Sequence, residues 1–214
     1  RQAEGRTFAG SQCNVDPEIG TKHIEMLKHA LDGYADTFGH EIVAFPQHGF
    51  IIADLLPTMR AALAAGADYV GGIDPTAVDG GMERSIDTMM QLAIEAKKGV
   101  DIHLHEPGPE GVAAIRRIAD TVERTPALKG KVTISHGFAL MSLSGGALTE
   151  MAQRMAALGM SVASTIPFNG RMMPIPALLD AGVRVYTGTD TVMDHWTVFG
   201  TGDMLEKAKL CCQL

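Results

Sequence analysis

Basic residues, cysteines and long apolar runs are all scarce in this sequence, and each scarcity removes a class of function. Lysine and arginine number 18 against 25 acidic residues, a formal net charge of −7, and the basic residues form no cluster. A nucleic-acid binder that works by neutralising phosphates is thereby excluded. No apolar stretch approaches the roughly 18 residues that a membrane-spanning helix needs, so no membrane partner is expected. Only three cysteines occur, Cys13, Cys211 and Cys212, two of them adjacent. They make no disulfide framework, which predicts a reducing, cytoplasmic setting. Also missing are a GxGxxG after the first strand and a P-loop, the usual marks of nucleotide binding. What remains, 46% hydrophobic and 20% charged residues in a chain of 214, is a globular composition with ample length to bury a core.

Short apolar, β-branched runs recur along the chain: Glu41 to Phe45, Tyr69 to Ile73, Val100 to Leu104, Lys131 to Ser135, Met160 to Ser164 and Val183 to Thr187. Their continuous apolarity predicts strands buried on both faces. Thr7 to Cys13 is a weaker seventh, diluted by Ala9 and Gly10. Helical spacing fills the gaps over 21–38, 54–65, 83–98, 110–124 and 146–158, with Pro174 to Ala181 as a shorter segment. Gly66, Gly99, Gly159 and Gly182 follow helical segments as left-handed caps would. Alternation of this kind predicts an α/β fold with a parallel sheet.

An open doubly wound sheet and a closed (β/α)8 barrel both satisfy that alternation. Polar residues separate them, because nearly every strand run is followed by one: Gln47, Asp74, His103 to Glu106, His136, Asn169, Asp190. A barrel gathers chemistry from many strand ends at one rim, whereas an open sheet concentrates it at one crevice. The expectation is therefore a single TIM-type barrel domain over 1–214, although a barrel needs eight strands and about 250 residues. The sequence opens on Arg1 without an initiator methionine and ends at Leu214 within a helical pattern. Both features predict a barrel incomplete at both ends, running from about its second strand to the start of its last helix.

The densest chemistry lies in Asp101-Ile102-His103-Leu104-His105-Glu106. Strand alternation puts His103 and His105 on one face. Burying two histidines and a glutamate without partners would be costly, which argues for a site. His136 and Asp190 repeat the strand-end placement. Histidines from two strands plus an aspartate suit one divalent transition metal, zinc or iron, with a position left for water. A neighbouring glutamate can then carry protons.

The order Phe45-Pro46-Gln47, His103-x-x-Glu106, Ser135-His136, Gly188-x-Asp190, Asp194-x-Trp196 resembles the cytosine deaminase branch of the amidohydrolase superfamily, from about Asp16 to Leu214. The resemblance implies His103, His136 and Asp190 around the metal, with His136 and Asp190 also holding the hydrolytic water. It implies Glu106 as the proton shuttle to the ring nitrogen and the leaving amine. It implies Gln47, Trp196 and His105 against the substrate. It further implies a small N-heterocyclic substrate, hydrolytic deamination or dealkylamination, a homo-oligomer, and a first-strand His-x-His and flanking β domain that this sequence lacks. Thr191, His105 and His48 stand where that branch carries acids. Losing those acceptors argues against cytosine itself and keeps aminated triazines and other cyclic amidines open.

Competing readings are a first-strand register for His103-Leu104-His105, a metal-free barrel enzyme on a small metabolite, and a catalytically silent fragment. Blander assignments cover the rest. The 13 methionines are expected to fill the core, Asp74-Pro75 to start a turn or reach the pocket, and Asn169-Gly170-Arg171 to form a turn or hold substrate. His23, His29 and His40 are expected in solvent, and Cys211 and Cys212 packed inward.

Overall fold

A computed structural model describes residues 8–166, 172–194 and 198–213. Seven strands and seven α-helices alternate through it: β1 (Phe8–Asn14), α1 (Lys22–Asp32), β2 (Gly39–Phe45), α2 (Leu56–Ala64), β3 (Tyr69–Ile73), α3 (Met82–Ala96), β4 (Gly99–Leu104), α4 (Gly108–Arg124), β5 (Val132–His136), α5 (Gly145–Ala157), β6 (Ser161–Ser164), α6 (Ile175–Asp180), β7 (Arg184–Thr187) and α7 (Met204–Gln213). The weak seventh run is thus a full strand, paired with β2 along its whole length.

All neighbouring strands run parallel, in the order β1-β2-β3-β4-β5-β6-β7. That order decides the architecture. A doubly wound sheet reverses its strand order at a switch point, whereas an unbroken sequential order with right-handed crossovers keeps every helix on one side. The result is an incomplete (β/α)8 barrel. Three strand–helix units precede β4, which leaves no room for a first-strand register of His103-Leu104-His105.

The helix-facing side of the sheet is apolar. Ile42, Val70, Val100, Ile102, Ile134 and Val162 pack there against Ile24, Met59, Ile86, Ile115, Ile118 and Met155, all at most 1% exposed. Apolarity on both faces, however, holds only in part. The opposite face carries a polar belt: Tyr69 donates to Glu41 at 3.1 Å, Ser135 donates to Asp101 at 2.6 Å, and Thr133 bonds Ser161 and Tyr186. These bonds join strand to strand across the barrel interior, so side chains that look like exceptions within each strand satisfy one another.

Several local expectations change. Helix α1 stops at Asp32 because Gly33 and a turn follow, and Tyr34, counted as an apolar position, is exposed. Gly66, Gly159 and Gly182 do adopt positive φ, but the left-handed residue after α3 is Lys97 at +57°. Gly99 instead opens β4, where a Cβ would sit 2.5 Å from the Tyr69 ring and 2.7 Å from the Lys131 carbonyl oxygen. Met89, Met90, Met151 and Met155 fill the core, whereas Met26, Met172 and Met193 are exposed. Helix α7 has no buried residue. Cys212 is exposed and Cys211 half-buried, so neither packs fully inward.

Candidate active site

The site forms at the C-terminal ends of the strands. Parallel pairing of Leu104 with His136 places the ends of β4 and β5 side by side. His136 and Gly137 then take φ of +66° and +61°, two left-handed residues in succession. One nitrogen each from His103, His105 and His136 lies within 4.8 Å of the others. Ring centroids are 4.8 Å apart for His103–His136 and 4.3 Å for His105–His136. Phe45 packs on His103 at 4.7 Å, and Phe138 lies against both His105 and His136. The imidazoles are therefore walled on two sides by aromatic carbon.

That setting fixes the charge of His103 and His136. Burial, then the neighbouring imidazoles, push His103 down to about 3. Burial and His105 push His136 down to about 4, against the pull of the Asp190 and Asp74 carboxylates. Both rings are neutral near pH 7 and keep a lone pair for a ligand. His136 Nδ1 is buried without a hydrogen-bond partner among the described residues, as a nitrogen able to take a ligand would be. Clustered neutral imidazoles of this kind fit one divalent transition metal, zinc and iron alike.

Two acidic side chains lock the loops around the cluster. Asp74, just past β3, accepts the backbone N–H groups of His105 at 2.6 Å and Glu106 at 3.1 Å on Oδ1. Its Oδ2 lies 2.7 Å from His105 Nδ1. Burial alone would raise the Asp74 carboxyl, but its contacts with His105 and the backbone donors outweigh that and hold it below the ordinary value. Glu106 returns the favour across the same gap. Its Oε1 accepts from Thr76 and Ala77 N–H at 2.6 and 2.7 Å, while Oε2 is buried with no partner. Each acid thus satisfies the backbone of the other's loop.

The remaining expected residues are more loosely placed. Asp190 is exposed, and its Oδ1 stands 3.9 Å from His136 Nε2, an ion-pair separation too long for a hydrogen bond. Gln47 is exposed just beyond β2. Trp196, like Asn169 and Arg171, lies outside the described residues. His105, expected against the substrate, joins the imidazole cluster. Asp74 serves both readings open to it, since its carbonyl starts a turn by accepting from Val78 N–H and its carboxylate also reaches the site.

Asp79 escaped the sequence reading. It is 7% exposed and accepts from Phe50 N–H at 3.2 Å, Ile51 N–H at 2.9 Å and the Ser85 hydroxyl. It thereby ties the loop bearing Gln47 to the start of α3. Gly49 in that loop has φ +83°, and a Cβ there would strike the Asp79 carboxylate. No local signal in the sequence links these positions.

Backbone strain collects at the same rim. Six non-glycine residues among those described have positive φ, and four of them, Asp74, His136, Ile166 and Asp190, lie at or just past strand C-termini. Strain of this kind persists where surrounding structure enforces it, commonly at functional sites.

A sequentially wound parallel barrel with an imidazole cluster and a buried glutamate at its C-terminal rim has the layout of a (β/α)8 enzyme, whose chemistry sits at the strand ends. Residues 53–212 match the amidohydrolase family, and the chain belongs to that family. It is 54% identical over 213 residues to the uncharacterized protein YahJ of Escherichia coli, covering 100% of this chain and 46% of that protein. The structure of N-isopropylammelide isopropylaminohydrolase from Burkholderia multivorans superposes with a TM-score of 0.94 at 34% identity, over 99% of this chain and 54% of that one. A 5-methylcytosine deaminase from Klebsiella pneumoniae, liganded with 5-fluorocytosine, superposes at 0.78 with 25% identity, over 96% of this chain and 54% of that one. The chain spans about half the length of the curated relatives it matches.

Proposed function

We propose that this chain supplies the metal-holding and proton-handling part of a hydrolase that removes an amino or alkylamino group from an N-heterocycle such as cytosine or an aminotriazine. The observation that carries this reading is the His103–His105–His136 cluster, with ligand atoms within 4.8 Å of one another, beside a carboxylate with one oxygen left free. His103 and His136, with His105 and Asp190 adjacent, would hold one zinc or iron ion. When bound, such an ion supplies Lewis acidity that brings the ionisation of water toward neutral pH.

The chain's own residues do the rest. Asp190 and His136 orient the attacking water, and the 3.9 Å between them leaves room for it to contact both. Glu106 is pinned through Oε1, so Oε2 carries the proton to the departing nitrogen. Phe45 and Phe138 help keep bulk water from His103 and His136. Gln47 and Trp196 would meet the heterocycle. Aminated triazines are favoured over cytosine, because Thr191, His105 and His48 offer a hydroxyl and imidazoles where acids would best receive a cytosine N–H edge. Similarity to an N-isopropylammelide hydrolase at 34% identity, above the 25% to a methylcytosine deaminase, supports the same preference.

A screen for ammonia and alkylamine release over aminotriazines, pyrimidines and purines tests the reading, with metal content measured alongside. Glu106→Gln is expected to lower turnover by at least about 100-fold while metal content stays unchanged. Undiminished turnover in that variant, or no amine release from the metal-loaded protein, would overturn it.

A further inference from the structure

The contacts of Asp74 divide cleanly between its two oxygens. Oδ1 receives two backbone N–H groups, from His105 and Glu106, and so holds the loop after β4. Oδ2 is hydrogen-bonded, among the described residues, to the His105 ring alone, 2.7 Å from Nδ1. An ionised carboxylate accepts and cannot donate, so the proton of that contact sits on Nδ1. In the neutral ring the lone pair then belongs to Nε2. His105 is half-buried beside His136, with ring centroids 4.3 Å apart, and Asp74 is the residue bonded to its Nδ1.

We propose that Asp74 is a positioning residue that fixes His105 as its Nδ1–H tautomer and thereby commits Nε2 as an acceptor within the His103–His105–His136 cluster. The inference rests on reading that cluster as the hydrolytic centre, and it adds a determinant from the neighbouring strand end, just past β3. A carboxylate bound to the far nitrogen of a ligating imidazole also raises the ring's basicity and limits its rotation. The φ of +25° at Asp74 is the conformational cost of aiming one side chain at both the backbone and the ring.

Because the two oxygens have separate partners, one substitution can separate their roles. Asp74→Asn keeps a carbonyl oxygen for the two backbone donors but turns an NH2 toward Nδ1. The ring must then place its proton on Nε2, which silences the acceptor while sparing the loop. In the metal-free protein at pH 8, the nitrogen-15 shifts of His105 are expected to show a protonated Nδ1 and a bare Nε2 in the wild type, and the reverse in Asp74→Asn. Zinc affinity, measured against a competing chelator, is expected to fall about 10- to 100-fold in the variant, with its thermal midpoint unchanged. A wild-type spectrum with the proton on Nε2 overturns the proposal, as does zinc affinity within about threefold of wild type, short of that fall. Should Asp74→Asn fail to fold, the wild-type spectrum decides alone. If the wild type takes up no zinc, the hydrolytic reading fails, while the tautomer still decides the role of Asp74.

Discussion

Asp101 shows how a single buried charge shapes the barrel interior. It accepts from Ser135 at 2.6 Å, and burial pushes its carboxyl from 3.8 up to about 6, with Glu41 adding to the rise and hydrogen bonds from Ser135 and Gln12 opposing it. Between those values the unfolded chain has released a proton that the folded chain still holds. The stability tied to this group is therefore present below about pH 4 and lost as the pH rises through about 6. Asp101→Asn stays neutral throughout, and its new amide can offer a donor to the buried, unpartnered Gln12 Oε1. In the metal-free protein the variant is expected to gain ~1–2 kcal/mol at pH 8 and nothing at pH 4. Urea denaturation at the two pH values measures this, and an equal gain at both would refute it.

Among the elements, the close approach of β2 and β3 constrains the site through backbone. A Cβ at Gly71 would lie 2.5 Å from the Ala44 carbonyl oxygen and 3.0 Å from the Phe45 Cα. Both are backbone atoms of β2, so neither can swing aside. Gly71→Ala is expected to cost about 1–3 kcal/mol in urea denaturation and to weaken zinc binding, since Phe45 packs on His103. The sequence displays its strands plainly because helices cover one side of each, which makes Val100, Ile102 and Leu104 read as an apolar run. It also displays His103, His105, Glu106 and His136, because ionisable residues at the ends of such runs stand out. It hides the clasp between Asp74 and Glu106, whose partners are brought together only by the parallel register of β3 on β4. It hides the polar belt for the same reason, since Gln12, Glu41 and Tyr186 each look like a lone exception until their strands are neighbours. The end of α1 is misjudged because Tyr34 has the spacing of a buried residue but belongs to a turn.

For the molecule as a whole, an ion held in the imidazole cluster would couple binding to folding. Three separate chain positions, His103, His105 and His136, approach within 4.8 Å only when β4 and β5 are paired, so an ion held there binds the folded state alone. Zinc at 100 times its dissociation constant is expected to stabilise by about 2.7 kcal/mol, raising the thermal midpoint by roughly 5–10 °C for a chain of this size. Calorimetry with zinc and then with excess chelator measures the effect, and a midpoint indifferent to both would refute a site at these strands. The strained backbone at the same rim has an evolutionary consequence. Asp190 holds φ +64° while its side chain is 46% exposed, so glycine there would relieve the strain and forfeit little packing. In a lineage released from selection for its chemistry, drift would be pulled toward such replacements. The rim would decay into an inert, sturdier barrel well before the fold itself was lost.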